Sequence, residues 1–85
     1  MGIEEAGTAA TDFLQRALHK QGTIVRIAQA EGRWDVAVEV IEPSEFVKAL
    51  GLPARVLDRN VYEVRLNQRL EVVSCERLGR HAAAA

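Results

Sequence analysis

The sequence predicts an α+β fold in which an N-terminal helix packs on a four-stranded antiparallel sheet, the strands following one another as a β-meander. Two observations carry this. Apolar residues recur at spacings of three and four near the start, and at spacings of two in the segments that follow. A helix with one apolar stripe and a sheet with one apolar face each solve the other's burial problem. The 85 residues suffice for a single domain, 1–85, with a small core.

The helical stripe is Ile3, Ala6, Ala10, Phe13, Leu14, Ala17 and Leu18. Glu4, Glu5 and Asp12 lie toward its start and Arg16, His19 and Lys20 toward its end, which complements the helix dipole. Gly7 weakens the first turn by about 1 kcal/mol relative to alanine. That moves the expected N-cap to Thr8 or Thr11 and leaves residues 1–7 frayed. Gly22 is the expected left-handed C-cap.

Residues 23–29 are β-branched and short, and read as the first strand. Ala30-Glu31-Gly32 is a tight turn into the second. From Arg33 to Glu42 the even positions Trp34, Val36, Val38 and Val40 are apolar, while Arg33, Asp35, Ala37 and Glu39 are polar or small, with Ile41 the exception. One dry face and one wet face result, and a one-residue slip would expose the indole and three valines together. Pro43 ends this strand, because proline donates nothing to a ladder. Ser44 and the residues up to Gly51 read as a short capped helix, and residues 52–57 return the chain to the sheet.

Residues 60–67 form the third strand, with Tyr62, Val64 and Leu66 on one face and Val61, Glu63 and Arg65 on the other. Asn67-Gln68-Arg69 is the turn, Asn67 being the residue suited to a left-handed backbone. Residues 70–80 form the last strand. Its alternation breaks partway, and a bulge near Val73-Ser74-Cys75 reconciles the two halves. His81 and the alanines, residues 81–85, are a fraying tail. The expected core sets Trp34, Val36, Val38, Val40, Tyr62, Val64 and Leu66 against Phe13, Leu14, Ala17 and Leu18. The arrangement resembles the cystatin-like one.

Eleven basic and twelve acidic residues give a net charge of -1, against the clustered basic face that non-specific nucleic-acid binding needs. The single Cys75 makes no internal disulfide and fits a reducing compartment. No apolar run approaches the roughly 20 residues of a spanning helix. The acidic start lacks the pattern of a signal peptide, so the expected location is cytoplasmic and no membrane is expected as partner.

The residues offer little for catalysis. His19 and His81 are far apart, and neither has a second ligand at metal spacing. Cys75 has no base or orienting residue in its neighbourhood of the sequence. Glu39, Glu42, Glu63 and Glu71 are strand carboxylates, and Arg65 and Arg77 are the expected cross-strand partners of Glu39 and Glu63. Phosphate-binding glycine loops, Cys-x-x-Cys and His-x-x-x-His motifs are missing from the sequence. The expectation is a non-enzymatic protein with no cofactor and no metal.

Trp34-Asp35-Val36-Ala37-Val38-Glu39-Val40-Ile41-Glu42-Pro43 resembles the W-x-V-x-V-E-V-V-E stretch of the gas vesicle protein O family. Pro53 with Tyr62-Glu63-Val64-Arg65-Leu66 resembles the family's P … Y-E-V-x-L-D stretch. Leu70-Glu71-Val72-Val73 followed by Cys75-Glu76-Arg77 and Arg80-His81 resembles its closing segment. The likeness spans residues 22–81, with departures: Leu57 replaces an aspartate, and Cys75 and His81 stand where tyrosines occur. The chain thus resembles a divergent member of the family.

The resemblance implies an accessory protein for the assembly of gas vesicles, acting by contact with shell or other gas vesicle proteins, with association with the vesicles as a further expectation. It carries over no catalytic residue. Two surfaces are then candidates for the contact. One is the polar sheet face with Asp35, Glu39, Glu63 and Arg65. The other is the final strand with Arg77 and Arg80, at a sheet edge able to pair with another chain or a second copy, and it is the one the sequence favours. The alternatives are a small ligand-binding or carrier domain, which needs a cavity between helix and sheet, and a structural homodimerisation module.

Overall fold

A computed structural model describes residues 2–43, 50–51 and 57–78 of the chain. The helix α1 (Ile3–Leu18) starts from Gly2, whose N–H donates to the Glu5 carboxylate at 2.6 Å. With Glu4 and Glu5 in the first turn, the positive end of the helix dipole is met twice. The helix therefore starts ahead of the N-cap expected at Thr8 or Thr11. The Thr11 hydroxyl instead donates within the helix, to the carbonyls of Gly7 and Thr8 at 3.2 and 3.1 Å.

The buried stripe is Ala6, Gly7, Ala10 and Leu14, mostly small residues that let the helix lie close on the sheet. Gly7 is a point of contact. A Cβ there would stand 2.7 Å from the Ile24 Cδ1 and 3.2 Å from the Ile27 Cδ1. Phe13 packs on the core from its margin, but Ala17 and Leu18 are exposed and do not join it. The reason is the early exit of the chain. His19 takes the left-handed C-cap (φ 55°), and the His19 and Lys20 N–H groups close on the Gln15 and Leu14 carbonyls, ending the stripe before its next turn is covered.

Gly22, expected at that cap, instead opens β1 (Gly22–Ala30) opposite Val40. A Cβ there would come within 2.5 Å of the Val38 Cγ1 and 2.6 Å of the Glu39 carbonyl oxygen, so the strand pairing itself requires glycine. A turn with Glu31 at φ 34° and Gly32 at φ 79° leads into β2 (Arg33–Pro43), as the sequence indicates. β3 (Leu57–Asn67) begins earlier than expected, because Leu57 pairs with Pro43 at the very end of β2. The expected short helix between them falls on residues 44–51, which lie outside the described residues apart from a turn at 50–51.

In the turn after β3 the Asn67 Oδ1 accepts from the Arg69 and Glu71 N–H groups at 2.9 and 3.0 Å. The left-handed residue there is Leu70 (φ 64°), not Asn67. β4 (Val72–Arg77) is shorter than the 70–80 expected. The sheet order is β1-β2-β3-β4 with every neighbouring pair antiparallel, the predicted meander.

Both edge strands carry a bulge. In β4 Leu66 faces Val72 and Arg65 faces Ser74, so Val73 is the extra residue, within the predicted segment. It turns both Val72 and Cys75 toward the core. In β1 the extra residue is Val25, and Ile24 and Ile27 both pack on the core as a result. The core joins Ala6, Ala10 and Leu14 of α1 to all seven sheet residues expected there, Trp34, Val36, Val38, Val40, Tyr62, Val64 and Leu66.

Candidate protein-contact face

The residues of β2 and β3 that alternate with the core point away from α1. On this outer face Asp35 lies opposite Arg65, Ala37 opposite Glu63, Glu39 opposite Val61 and Ile41 opposite Arg59. β1 adds Arg26, opposite Ala37, and β4 adds Ser74 and Glu76, opposite Arg65 and Glu63. Four of the six residues singled out from the sequence are thereby brought onto one surface: Asp35, Glu39, Glu63 and Arg65.

These charges form a lattice across three strands. Arg65 meets Glu63 at 3.1 Å and Asp35 at 3.6 Å; Arg33 meets Asp35 at 3.7 Å; Arg26 reaches Glu63 at 3.5 Å. The Arg26–Glu63 pair spans Ala37, which is only 4% exposed although no helix covers it. Side-chain stems and their paired heads do the covering. The Asp35 Oδ1 and Arg65 Nε atoms are closed to solvent and meet as an ion pair without a hydrogen bond. Toward the other end Ile41 and Leu57, both more than half exposed, flank Arg59.

The other two predicted residues do not join this face. The Val73 bulge reverses the parity of β4, so Arg77 lies opposite Tyr62 on the helix side, and Glu76, not Arg77, stands across from Glu63. The partners of Glu63 are Arg26 and Arg65, so the expected Arg77 pairing is replaced by one from β1. Arg80 lies outside the described residues.

A second polar constellation escaped the sequence reading. At the helix side of the sheet end, the Glu42 carboxylate accepts from the Lys20 Nζ, from the Asn60 Nδ2 at 2.6 Å and from the Tyr62 hydroxyl at 3.1 Å. Lys20 also stands 5.9 Å above the Tyr62 ring centre. Burial alone would push the Glu42 carboxyl up; the three donors outweigh it and hold it below the usual carboxylate range. The hydrogen bond to Glu42 raises Lys20 above its ordinary value, and burial with the adjacent carboxylate raises the Tyr62 phenol. The cluster ties the segment after α1 to β2 and β3. Its signal was parity: Glu42 and Asn60 fall on the apolar side of their strands, where a polar residue needs a partner. Lys20 stands 22 residues from Glu42, too far for any local pattern to join them.

Burial raises the Cys75 thiol, with Glu76 adding to the effect, so this cysteine is a poor nucleophile. Among the described residues no group of three or more His, Cys, Asp and Glu is placed to hold a metal ion, and no helix is long and apolar enough to cross a membrane. Between α1 and β1 runs an open groove of about 510 Å³ lined by Ile3, Gly7, Thr11, Ile24 and Ile27 among others. Comparison of the chain with protein-family models, with curated proteins and with solved structures gives no match.

Proposed function

We propose that this chain is a non-enzymatic protein-binding module that assists gas vesicle assembly, and that the outer face of its sheet makes the contact with shell or accessory proteins. The observation that carries the contact reading is the outer face itself. It is broad, uncovered by α1 and mixed in sign, and it carries exposed apolar side chains at the end where Ile41 and Leu57 flank Arg59. Such a surface selects a partner by charge pattern and holds it by apolar burial. The gas vesicle part of the proposal rests on the resemblance, whose residues make up most of β2 and β3.

The final strand is the weaker of the two surfaces. Both sheet edges are bulged, a feature that discourages pairing with another strand, and Arg77 projects on the helix side. The carrier reading has the α1–β1 groove in its favour, yet Ala6, Ala10 and Leu14 are fully buried against the sheet and fill the space between the layers.

The test is co-expression with gas vesicle shell and accessory proteins followed by pull-down and vesicle counts, with circular dichroism confirming the fold. Glu39→Arg with Glu63→Arg is expected to abolish capture and reduce vesicle number. Arg77→Glu with Arg80→Glu is expected to bind as the parent does. If the first variant, folded, assembles vesicles normally, the outer face is not the working surface.

A further inference from the structure

We propose that the first occupant of the outer sheet face is a second copy of this chain, stacked face to face about a two-fold axis that runs along the strands between β2 and β3. The proposal rests on reading this face as a protein-contact surface, and it names a partner for it.

Such an axis lays each β2 residue over the β3 residue of the second copy at the same level, and β1 over β4. Asp35 pairs with Arg65 across β2 and β3, so in the dimer each Asp35 meets the Arg65 of the other copy. Arg26 and Glu76 occupy one level, opposite Ala37 and Glu63 respectively, so each Arg26 meets the other copy's Glu76. Both contacts are opposite in sign and each occurs twice, as an isologous interface requires. An axis across the strands through the Ala37–Glu63 level sets Asp35 of one copy against Glu39 of the other, a like-charge contact that disfavours it.

The monomer leaves capacity for these contacts. Its Asp35–Arg65 and Arg26–Glu63 separations of 3.6 and 3.5 Å are loose for charged pairs. The Asp35 Oδ1 and Arg65 Nε are enclosed and Arg65 also holds Glu63 at 3.1 Å, which leaves the Asp35 Oδ2 and the remaining guanidinium N–H groups for the second copy. At the far end Leu57 lies level with Pro43, so the exposed Leu57 of one copy covers the Pro43 of the other. Two sheets with strands nearly parallel is the aligned packing that twisted sheets adopt, about 10 Å apart. Central strands about 35 Å long, in a sheet of four at about 4.8 Å spacing, offer on the order of 500 Å² per copy. The total of about 1,000 Å² is the lower limit for a specific interface, so the dimer is expected to be reversible at micromolar concentration.

The test mixes charge-swapped chains and reads mass by sedimentation equilibrium. The parent is expected to dimerise. Asp35→Arg alone and Arg65→Asp alone each bring like charges together across the axis and are expected to be monomers. Their equimolar mixture restores both contacts and is expected to form the heterodimer within about tenfold of the parent's affinity. An internal pair within one chain cannot produce that rescue. Arg26→Glu mixed with Glu76→Arg repeats the experiment at exposed positions, in case either first variant fails circular dichroism. A parent that stays monomeric at about 100 µM, or single variants that dimerise as the parent does, overturns the proposal. A monomeric parent that still captures gas vesicle proteins overturns the dimer and leaves the proposed function standing.

Discussion

The two faces of β2 and β3 are built from alternate residues of the same strands and are closed in opposite ways. On the inner face Val36, Val38, Val64 and Leu66 are excluded from water by the small residues of α1. On the outer face Ala37 is nearly as dry, but what covers it is the Arg26–Glu63 ion pair. An apolar lid is held by burial, worth about 25 cal/mol for each Å² removed from water. A lid of ion pairs whose arginines are 41–55% exposed contributes about 0–1 kcal/mol per pair, less than the apolar lid. Fold stability therefore resides on the inner face, and the outer face is free to exchange its internal partners for external ones.

The largest effect should come from the inner face. Trp34→Ala removes a side chain that is 7% exposed in the core and is expected to cost about 3–5 kcal/mol, most of what a domain of this size has. Chemical denaturation reads this directly, and a loss below about 1 kcal/mol would move the indole out of the core. Gly22→Val is next. Its Cβ would meet the Glu39 backbone oxygen, which has no rotamer by which to retreat, and a loss of about 1–3 kcal/mol is expected. Gly7→Ala meets only side-chain tips, those of Ile24 and Ile27, so it should cost less than Gly22→Val by the same assay.

The Glu42 cluster lies at the polar margin of the inner face, and its removal should be intermediate. Glu42→Leu leaves the Asn60 and Tyr62 donors unpaired and is expected to cost about 1–3 kcal/mol. The pH dependence has a sign at each end. Glu42 is held below its ordinary 4.5, so its stabilisation is present above that value and is lost as pH falls through the lower folded value. Lys20 is raised above 10.5 and Tyr62 above 10.0, so their contributions are present below those values and fade as pH climbs through the folded ones. Stability should be flat between and fall at both extremes, and Glu42→Leu should flatten the acid limb. The smallest effect belongs to the outer face. A double-mutant cycle on Asp35 and Arg65 in the monomer should return about 0.2–1 kcal/mol and shrink with added salt.

Where alternation was strict, the sequence was enough: all seven sheet residues of the core are read directly from the parity of β2 and β3. The helix was less legible. Gly7 and Gly22 look like a weak turn and a cap in one dimension, yet both are set by atoms of other segments, Ile24 and Glu39. Ile24 and Ile27, three apart in a strand, were a visible sign of the β1 bulge, just as the broken alternation of β4 announced the one at Val73. On the candidate face, parity placed Asp35, Glu39, Glu63 and Arg65 together. Arg77 was misplaced because a single bulge residue inverts every side chain beyond it. Arg26 was missed as the partner of Glu63 because the two are 37 residues apart.

The division of labour between the faces is tested most directly by methyl nuclear magnetic resonance during titration with the proposed partner, gas vesicle shell protein, at constant chain concentration. Ile41, Val61 and Leu57 report the outer face, Val36, Val64 and Leu14 the core, and Ile24 and Ile27 the α1–β1 groove. Shifts and broadening confined to Ile41, Val61 and Leu57 are the predicted result. Changes confined to Ile24 and Ile27, with the outer methyls unmoved at saturation, would contradict it and give the contact to the groove.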